Sequence, residues 1–259
     1  PTPSPPHEGE GRHSRYPIAR PCAAPALQAE ERPMNGYGFA FAGATLTALP
    51  SGALHWSARG LLVVSDLHLG KSERMARRGG ALLPPYETRA TLARLEADLV
   101  ATGARSVLCL GDSFDDAAAC DGLDAEDCDR IRALVAGRGW LWIDGNHDEG
   151  IAARAHGLGG THAAEVALDG IAFRHIATDA VPEVSGHWHP KAALAGRARP
   201  CFLIDARRIV LPAYGAYTGG LFAHDPALAG LMGPGAIAVL TGTKALPCPL
   251  GEVRVRGRG

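Results

Sequence analysis

His187 and His189 stand one residue apart in the stretch VSGHWHP, residues 184 to 190. On an extended backbone, residues i and i+2 face the same way. The spacing therefore predicts two imidazoles side by side, with Trp188 turned away. Paired imidazoles fill a core poorly and make a good start on a metal site. In a chain with 11 histidines among 259 residues such a pair is weak evidence by itself, so matching donors must exist elsewhere. They do. Three apolar runs end in polar clusters, SDLH (65–68), GDSFDD (111–116) and GNHD (145–148), and a fourth run, IAFRH, ends in His175. Asp66, His68, Asp112, Asn146, His175, His187 and His189 are together a set of oxygen and nitrogen donors. One bridging carboxylate among them would complete two ions of four ligands each. Mixed imidazole and carboxylate ligation suits Zn, Mn or Fe better than Ca or Mg alone. Two such ions about 3.5–4 Å apart clamp a phosphate and activate a water between them.

The elements that carry these clusters alternate. LLVVSD (61–66), SVLCLGD (106–112) and WLWIDGN (140–146) read as buried strands. Between them, ETRATLARLEADLVATG (87–103) reads as an amphipathic helix with Gly103 past its end. AEDCDRIRALVAG (125–137) reads as another, with Asp124 as its N-cap. Strand, helix, strand, helix, strand predicts a βαβ layout on a largely parallel sheet, where ligands collect at the carboxyl ends of the strands. Gly111 and Gly145 precede ligands and allow close backbone approach. VALDGIAFRH, CFLIDARRIVLP and AIAVLTG read as hairpin strands, so the second half is expected to be mixed or antiparallel.

Bulk properties narrow the function classes. Hydrophobic residues make up 46% and charged residues 20%, an ordinary globular balance. The formal net charge of −1 provides no global basic field of the kind many nucleic-acid binders carry. No apolar run reaches the roughly 18 residues of a membrane span. Cys22, Cys109, Cys120, Cys128, Cys201 and Cys248 form no CxxC pair and fit free thiols in a reducing cytoplasm. Residues 1–35 are expected to be a disordered Pro-rich tail, and 36–259 a single domain.

SDLHLGK, GDSFDD, GNHD, His175 and GHWHP, in this order over residues 65–190, resemble the five signature blocks of the calcineurin-like metallophosphoesterases. The resemblance implies an α/β fold, a four-layer αββα sandwich with two mixed β-sheets. It implies that Asp66, His68, Asp112 and His189 hold one divalent ion. Asp112, bridging, would hold the other with Asn146, His175 and His187. His147 would stabilise the phosphate or protonate the leaving oxygen, with Asp115 orienting it. Protein phosphatases of this superfamily have GDxxDR and GNHE, where this chain has Asp116 and Asp148, which argues against a phosphoprotein phosphatase.

RRGGALLPPYETRATLARL (77–95), the Trp-rich run before GNHD and LPAYGAYTGGL (211–221) resemble a bacterial subfamily, the ligase-associated DNA damage response endonucleases (PdeM). That resemblance implies metal-dependent phosphodiester cleavage in DNA repair, with Mn as the expected metal. It also implies an ATP-dependent DNA ligase, an Lhr-like helicase and an exonuclease as functional neighbours. Lys71, Arg74, Arg77 and Arg78 follow the first block and are candidates to bind phosphates flanking the scissile bond. Arg89, Lys191, Arg197 and Arg199 are weaker candidates for the same role. Trp140 and Trp142 are expected in the core, Trp188 is a candidate for base stacking, and Tyr214 and Tyr217 are candidates to flank the site. Asp144 reads as a strand-end cap. Two rival functions stay open at this point: a phosphoesterase acting on nucleotides or other small molecules, and a non-catalytic scaffold for the ligase or helicase.

Overall fold

The computed structural model describes residues 35–79, 86–146 and 155–252. Most of the expected tail, and His147 and Asp148 of the third block, lie outside these residues, as does Cys22.

The first sheet runs in chain order: β1 (Tyr37–Phe41), β2 (Ala44–Ala48), β3 (Leu54–Trp56), β4 (Leu61–Val64), β5 (Ser106–Leu110), β6 (Gly139–Ile143) and β7 (Thr161–Ala163). β1 to β4 pair antiparallel, and β4 to β7 pair parallel. The crossover from β4 to β5 holds α1 (Lys71–Arg77) and α2 (Glu87–Thr102), and that from β5 to β6 holds α3 (Ala117–Asp121) and α4 (Ala125–Val135). The second sheet is built from β8 (Glu165–Leu168), β9 (Ile171–Arg174), β10 (Glu183–Ser185), β12 (Arg197–Ile204), β13 (Arg208–Val210), β14 (Ile237–Leu240) and β15 (Leu246–Pro249), in the order β15-β14-β12-β13-β10-β9-β8. β11 (Lys191–Leu194) pairs off it with β12. It too is mixed, since β9, β10 and β13 run parallel while the remaining pairs are antiparallel.

Strand periodicity sorts side chains into three cores. Leu61 and Val63 of β4, with Leu108 and Leu110 of β5, meet Phe173, Phe202, Ile204 and Val239 of the second sheet in a core between the sheets. The alternate residues Leu62, Val64, Val107 and Cys109 face outward onto Leu92, Leu95 and Leu99 of α2 and Ile131 and Leu134 of α4. Cys201, Leu203, Val210 and Leu240 face the other way, onto Ala223 and onto Leu228 of the one-turn α5 (Pro226–Ala229). Helix, sheet, sheet, helix is the expected sandwich, with a thin fourth layer. Trp140 and Trp142 lie buried in the helix-facing core, as their strand spacing requires.

α2 ends where expected, at Gly103 in the left-handed region (φ 63°), whose N–H donates to the Leu99 carbonyl. The hairpin of β8 and β9 turns through Asp169 and Gly170, both at positive φ (49° and 81°), as a two-residue hairpin turn demands. Asp124 occupies the N-cap of α4 but makes no capping hydrogen bond. Its carboxylate instead lies 3.8 Å from Arg89, which also reaches Glu126 at 2.9 Å and Asp127 at 3.7 Å. Arg89 thus joins α2 to α4 and is spent on that contact. The described cysteines are free thiols, and no helix among the described residues is long and apolar enough to cross a membrane.

Candidate metal centre

Each apolar run stops short of its polar cluster. β4 ends at Val64, β5 at Leu110, β6 at Ile143, β9 at Arg174 and β10 at Ser185, and the candidate ligands follow on the connecting turns. These turns meet at the carboxyl ends of neighbouring strands and are laced together through the backbone. His68 N–H donates to the Asp112 carbonyl (2.9 Å), Leu69 N–H to Ser113 (3.0 Å), Gly186 N–H to His175 (2.9 Å) and Gly215 N–H to Asp66 (3.0 Å).

The backbone at the ligands differs from the extended geometry expected of the paired histidines. Asp66 (φ 54°), His68 (45°), Asp112 (47°), His187 (70°) and His189 (45°) all lie in the left-handed region. For residues other than glycine that conformation is uncommon and costs on the order of 1–3 kcal/mol each. It also redirects the side chains. His187 and His189 do not share a target, and neither do Asp66 and Asp112. The structure sorts the donors into two groups, Asp66, His68 and His189 in one and Asp112, His175 and His187 in the other, each with its donor atoms within 4.8 Å of one another. Asn146 joins the second, its Oδ1 3.0 Å from His175 Nε2.

Hydrogen-bond roles show what these groups want. A backbone carbonyl only accepts, so His175 Nδ1, 2.9 Å from the Leu110 carbonyl, carries the proton. His175 Nε2 then faces Asn146 Oδ1 at 3.0 Å, His187 Nδ1 at 3.2 Å and Asp112 Oδ2 at 3.4 Å. The other group repeats the pattern. His68 Nδ1 lies 2.9 Å from Asp115 Oδ1, which leaves its Nε2 facing His189 Nε2 at 3.4 Å. His189 Nε2 in turn is 3.1 Å from the buried Asp66 Oδ1. Asp66 Oδ2 is held by the Ser65 hydroxyl at 2.5 Å and by His187 N–H at 3.0 Å. Clustered imidazole nitrogens and carboxylate oxygens of this kind fit a cation in each group. A carbonyl or carboxylate behind the metal-facing imidazole is the usual support for a histidine ligand.

The electrostatics agree. Burial by itself would raise the Asp66 carboxyl, but hydrogen bonding and charge from His189, with help from His175 and Ser65, hold it below the usual carboxylate range. Burial also opposes ionisation of Asp115, and His68, Arg74 and Lys71 outweigh it and push that carboxyl far down. Burial would lower His175, yet the Asp112 hydrogen bond and the Asp66 and Asp112 charges push it up to about 9. His187 is lowered, by burial and then by the neighbouring His175. Both carboxylates are thus kept ionised, and positive charge is favoured where the donors converge.

The remaining candidates are placed as follows. His147 lies outside the described residues, and Asp115 is seen holding His68. Lys71, Arg74 and Arg77 turn toward carboxylates, at 3.6 Å and 2.7 Å from Asp115 and 2.8 Å from Asp116, while Arg78 is exposed. Lys191 lies over the Phe222 ring, and Arg197 is exposed on the β12 hairpin. Trp188 is half-buried and packs under the second sheet. Tyr214 is fully buried. Its hydroxyl donates to Asp98 (2.8 Å), and Arg94 both covers its ring and donates to its carbonyl (2.8 Å), fastening the 213–215 strap behind Ser65 and Asp66. Tyr217 is half exposed, and Asp144 lies 3.8 Å from His162. Ser65, the Leu110 carbonyl and the ion pair of Arg74 also shape the site. Only Ser65 left a signal, by preceding a ligand in SDLH.

No family model and no curated protein matches the sequence. Among solved structures the chain is similar to the Pseudomonas putida nuclease MPE, with 27% identity and a TM-score of 0.65, over 82% of this chain and 100% of that one. A far looser likeness is to Yfce, a phosphoesterase from E. coli, at 15% identity and a TM-score of 0.37, over 62% and 83% of the two chains. The two-sheet sandwich, the two donor groups at its strand ends and the likeness to MPE along that protein's whole length agree with a metallophosphoesterase sandwich fold.

Proposed function

We propose that the protein is a phosphodiesterase that uses two divalent ions, manganese first among them, to cleave DNA in bacterial repair. The observation that carries this reading is the pair of adjacent donor groups, Asp66, His68 and His189 in one and Asp112, His175 and His187 in the other. The full-length likeness to a nuclease supports a nucleic-acid substrate. When bound, two such ions neutralise a phosphate and lower the pKa of a water. The chain's own residues do the rest. Asp66, His68 and His189 would hold one ion and Asn146, His175 and His187 the other, with Asp112 between them. Ser65, Asp115 and the Leu110 carbonyl keep ligand side chains and tautomers fixed. In hydrolysis a water oxygen joins phosphorus, the ester oxygen departs, and His147 would supply its proton. Arg78, an exposed cation of that segment, would contact a flanking phosphate. The reading places the enzyme in the cytoplasm beside an ATP-dependent DNA ligase, an Lhr-like helicase and an exonuclease.

The formal net charge of −1 favours a second reading, a phosphodiesterase of small molecules. Salt separates the two. Cleavage of an oligonucleotide, followed as kcat/KM, is expected to fall about tenfold or more between 50 and 200 mM salt, because a few phosphate contacts suffice for that slope. Hydrolysis of bis(p-nitrophenyl) phosphate should change less than about twofold. Flat profiles for both substrates would favour the small-molecule enzyme.

A further inference from the structure

We propose that Arg74 is a positioning residue of the metal centre: through Asp115 it fixes the orientation of His68, and so sets the cation affinity of the group formed by Asp66, His68 and His189. The inference rests on the metal-centre reading above and goes beyond it in assigning a role to α1.

Lys71, Arg74 and Arg77 are spaced three apart and share one face of α1. That face meets the acidic end of GDSFDD. Arg74 Nη1 donates to Asp115 Oδ2 at 2.7 Å, and Asp115 Oδ1 lies 2.9 Å from His68 Nδ1. Asp115 is fully buried, His68 nearly so, and the Arg74 side chain is only 21% exposed. One carboxylate oxygen thus meets the guanidinium and the other the imidazole. A buried carboxylate deprived of its guanidinium is costly, and it answers by turning toward another donor or taking up a proton. Either response loosens the bond that commits His68 Nε2 to the cation. Lys71 Nζ, at 3.6 Å, is too far to replace the hydrogen bond.

Asp116 reinforces the arrangement. It stands where protein phosphatases of the superfamily have arginine. Here it caps α3 by accepting from Ala119 N–H at 2.7 Å and receives Arg77 at 2.8 Å, with Arg74 Nε at 3.8 Å. The guanidinium next to the second block thus comes from α1 instead of from the block itself. Arg74 is thereby taken away from the flanking-phosphate role its sequence position suggested.

The test is Mn²⁺ titration of the full chain by calorimetry and by electron paramagnetic resonance, for wild type, Arg74→Ala, Arg74→Lys and, as a remote control, Arg130→Ala on α4. Wild type and Arg130→Ala are expected to bind two ions. Arg74→Ala should keep one at wild-type affinity and bind the other about 10–100-fold more weakly, the usual effect of removing a ligand's support. Arg74→Lys should recover part of that loss. At saturating Mn²⁺ the KM for an oligonucleotide should stay within about twofold. Asp115→Asn, which keeps Arg74 in place, should weaken the same ion and so tests the same link should the Arg74 variants fold poorly. Wild-type affinity for both ions in Arg74→Ala or Asp115→Asn would overturn the proposal, and a raised KM alone would return Arg74 to the phosphate. A wild type that binds no Mn²⁺ overturns the proposal together with the metal centre. A wild type that binds two ions yet cuts no DNA defeats only the nuclease reading and leaves the Arg74 result decisive.

Discussion

Asp112→Asn is expected to slow phosphodiester cleavage by about three powers of ten while leaving the fold standing. The substitution keeps the side chain's size and one oxygen but removes a charge and introduces an N–H donor. It does so in the group where Asp112 Oδ2 lies 3.4 Å from His175 Nε2, with His187 beside it. Asp112 has little room to adapt. A Cβ at Gly145 would stand 2.3 Å from its Oδ1 and 2.2 Å from its backbone nitrogen, so the β6 turn presses directly on it. Metal-derived charge stabilisation is worth several kcal/mol in such reactions, and each factor of ten corresponds to about 1.4 kcal/mol. Turnover of an end-labelled oligonucleotide and metal content after dialysis measure the effect. A variant within about threefold of wild type would remove Asp112 from the catalytic machinery.

Gly186→Ala is expected to damage the site through the backbone, without touching a donor. Gly186 crosses directly over Ser65 and Asp66. A Cβ there would meet Ser65 Oγ at 1.7 Å and Asp66 Oδ2 at 2.6 Å, separations real atoms do not reach. These are the two atoms whose contact aligns Asp66, and the next residue's N–H completes the hold at 3.0 Å. Relief requires moving either the His187–His189 turn or the Asp66 turn, and each carries ligands. Overpacking of a tight site costs about 3 kcal/mol at its upper range. In a domain of this size that is roughly 6–12 °C of melting temperature. Gly38→Ala in β1, where a Cβ meets nothing within 4 Å, should shift melting very little. Calorimetry of the two variants together with Mn²⁺ titration checks the contrast. Wild-type melting and metal affinity in Gly186→Ala would show that the turn is looser than the structure has it.

Much of this site could be read from residue types. Asp, His and Asn at the ends of apolar runs are poor core formers, and turn preference explains the Asp and Asn but not the histidines. Their order along the chain fixed which strand ends must meet. The grouping was legible only through resemblance to a known family, because it depends on backbone turns that bring distant segments within hydrogen-bonding distance. The extended geometry inferred for His187 and His189 failed for the same reason. Alternation describes a strand, and these residues sit past the end of β10, where the left-handed turns are set by partners in other loops. The helix-facing and sheet-facing alternation of β4, β5 and β6 followed from composition, since a run apolar at every position must be buried on both faces. α1 did not, because KSERMAR has no apolar stripe to mark it. Its docking is made by salt bridges to Asp115 and Asp116, and long-range ion pairs leave no periodic signature. Asp124 shows the reverse limit: the right residue stands at the cap position, yet its side chain makes no capping hydrogen bond and lies 3.8 Å from a cation on a neighbouring helix.

The central claim is that the two donor groups hold metal ions that cut phosphodiester bonds in DNA. It is tested most directly by incubating end-labelled single-stranded DNA with Mn²⁺ and either wild type or His187→Ala. The account predicts cutting by wild type, dependent on Mn²⁺, and none above background by His187→Ala, which lacks a donor 3.2 Å from His175 Nε2. Equal cutting by both proteins, or none by a wild type shown to carry two bound ions, would contradict it.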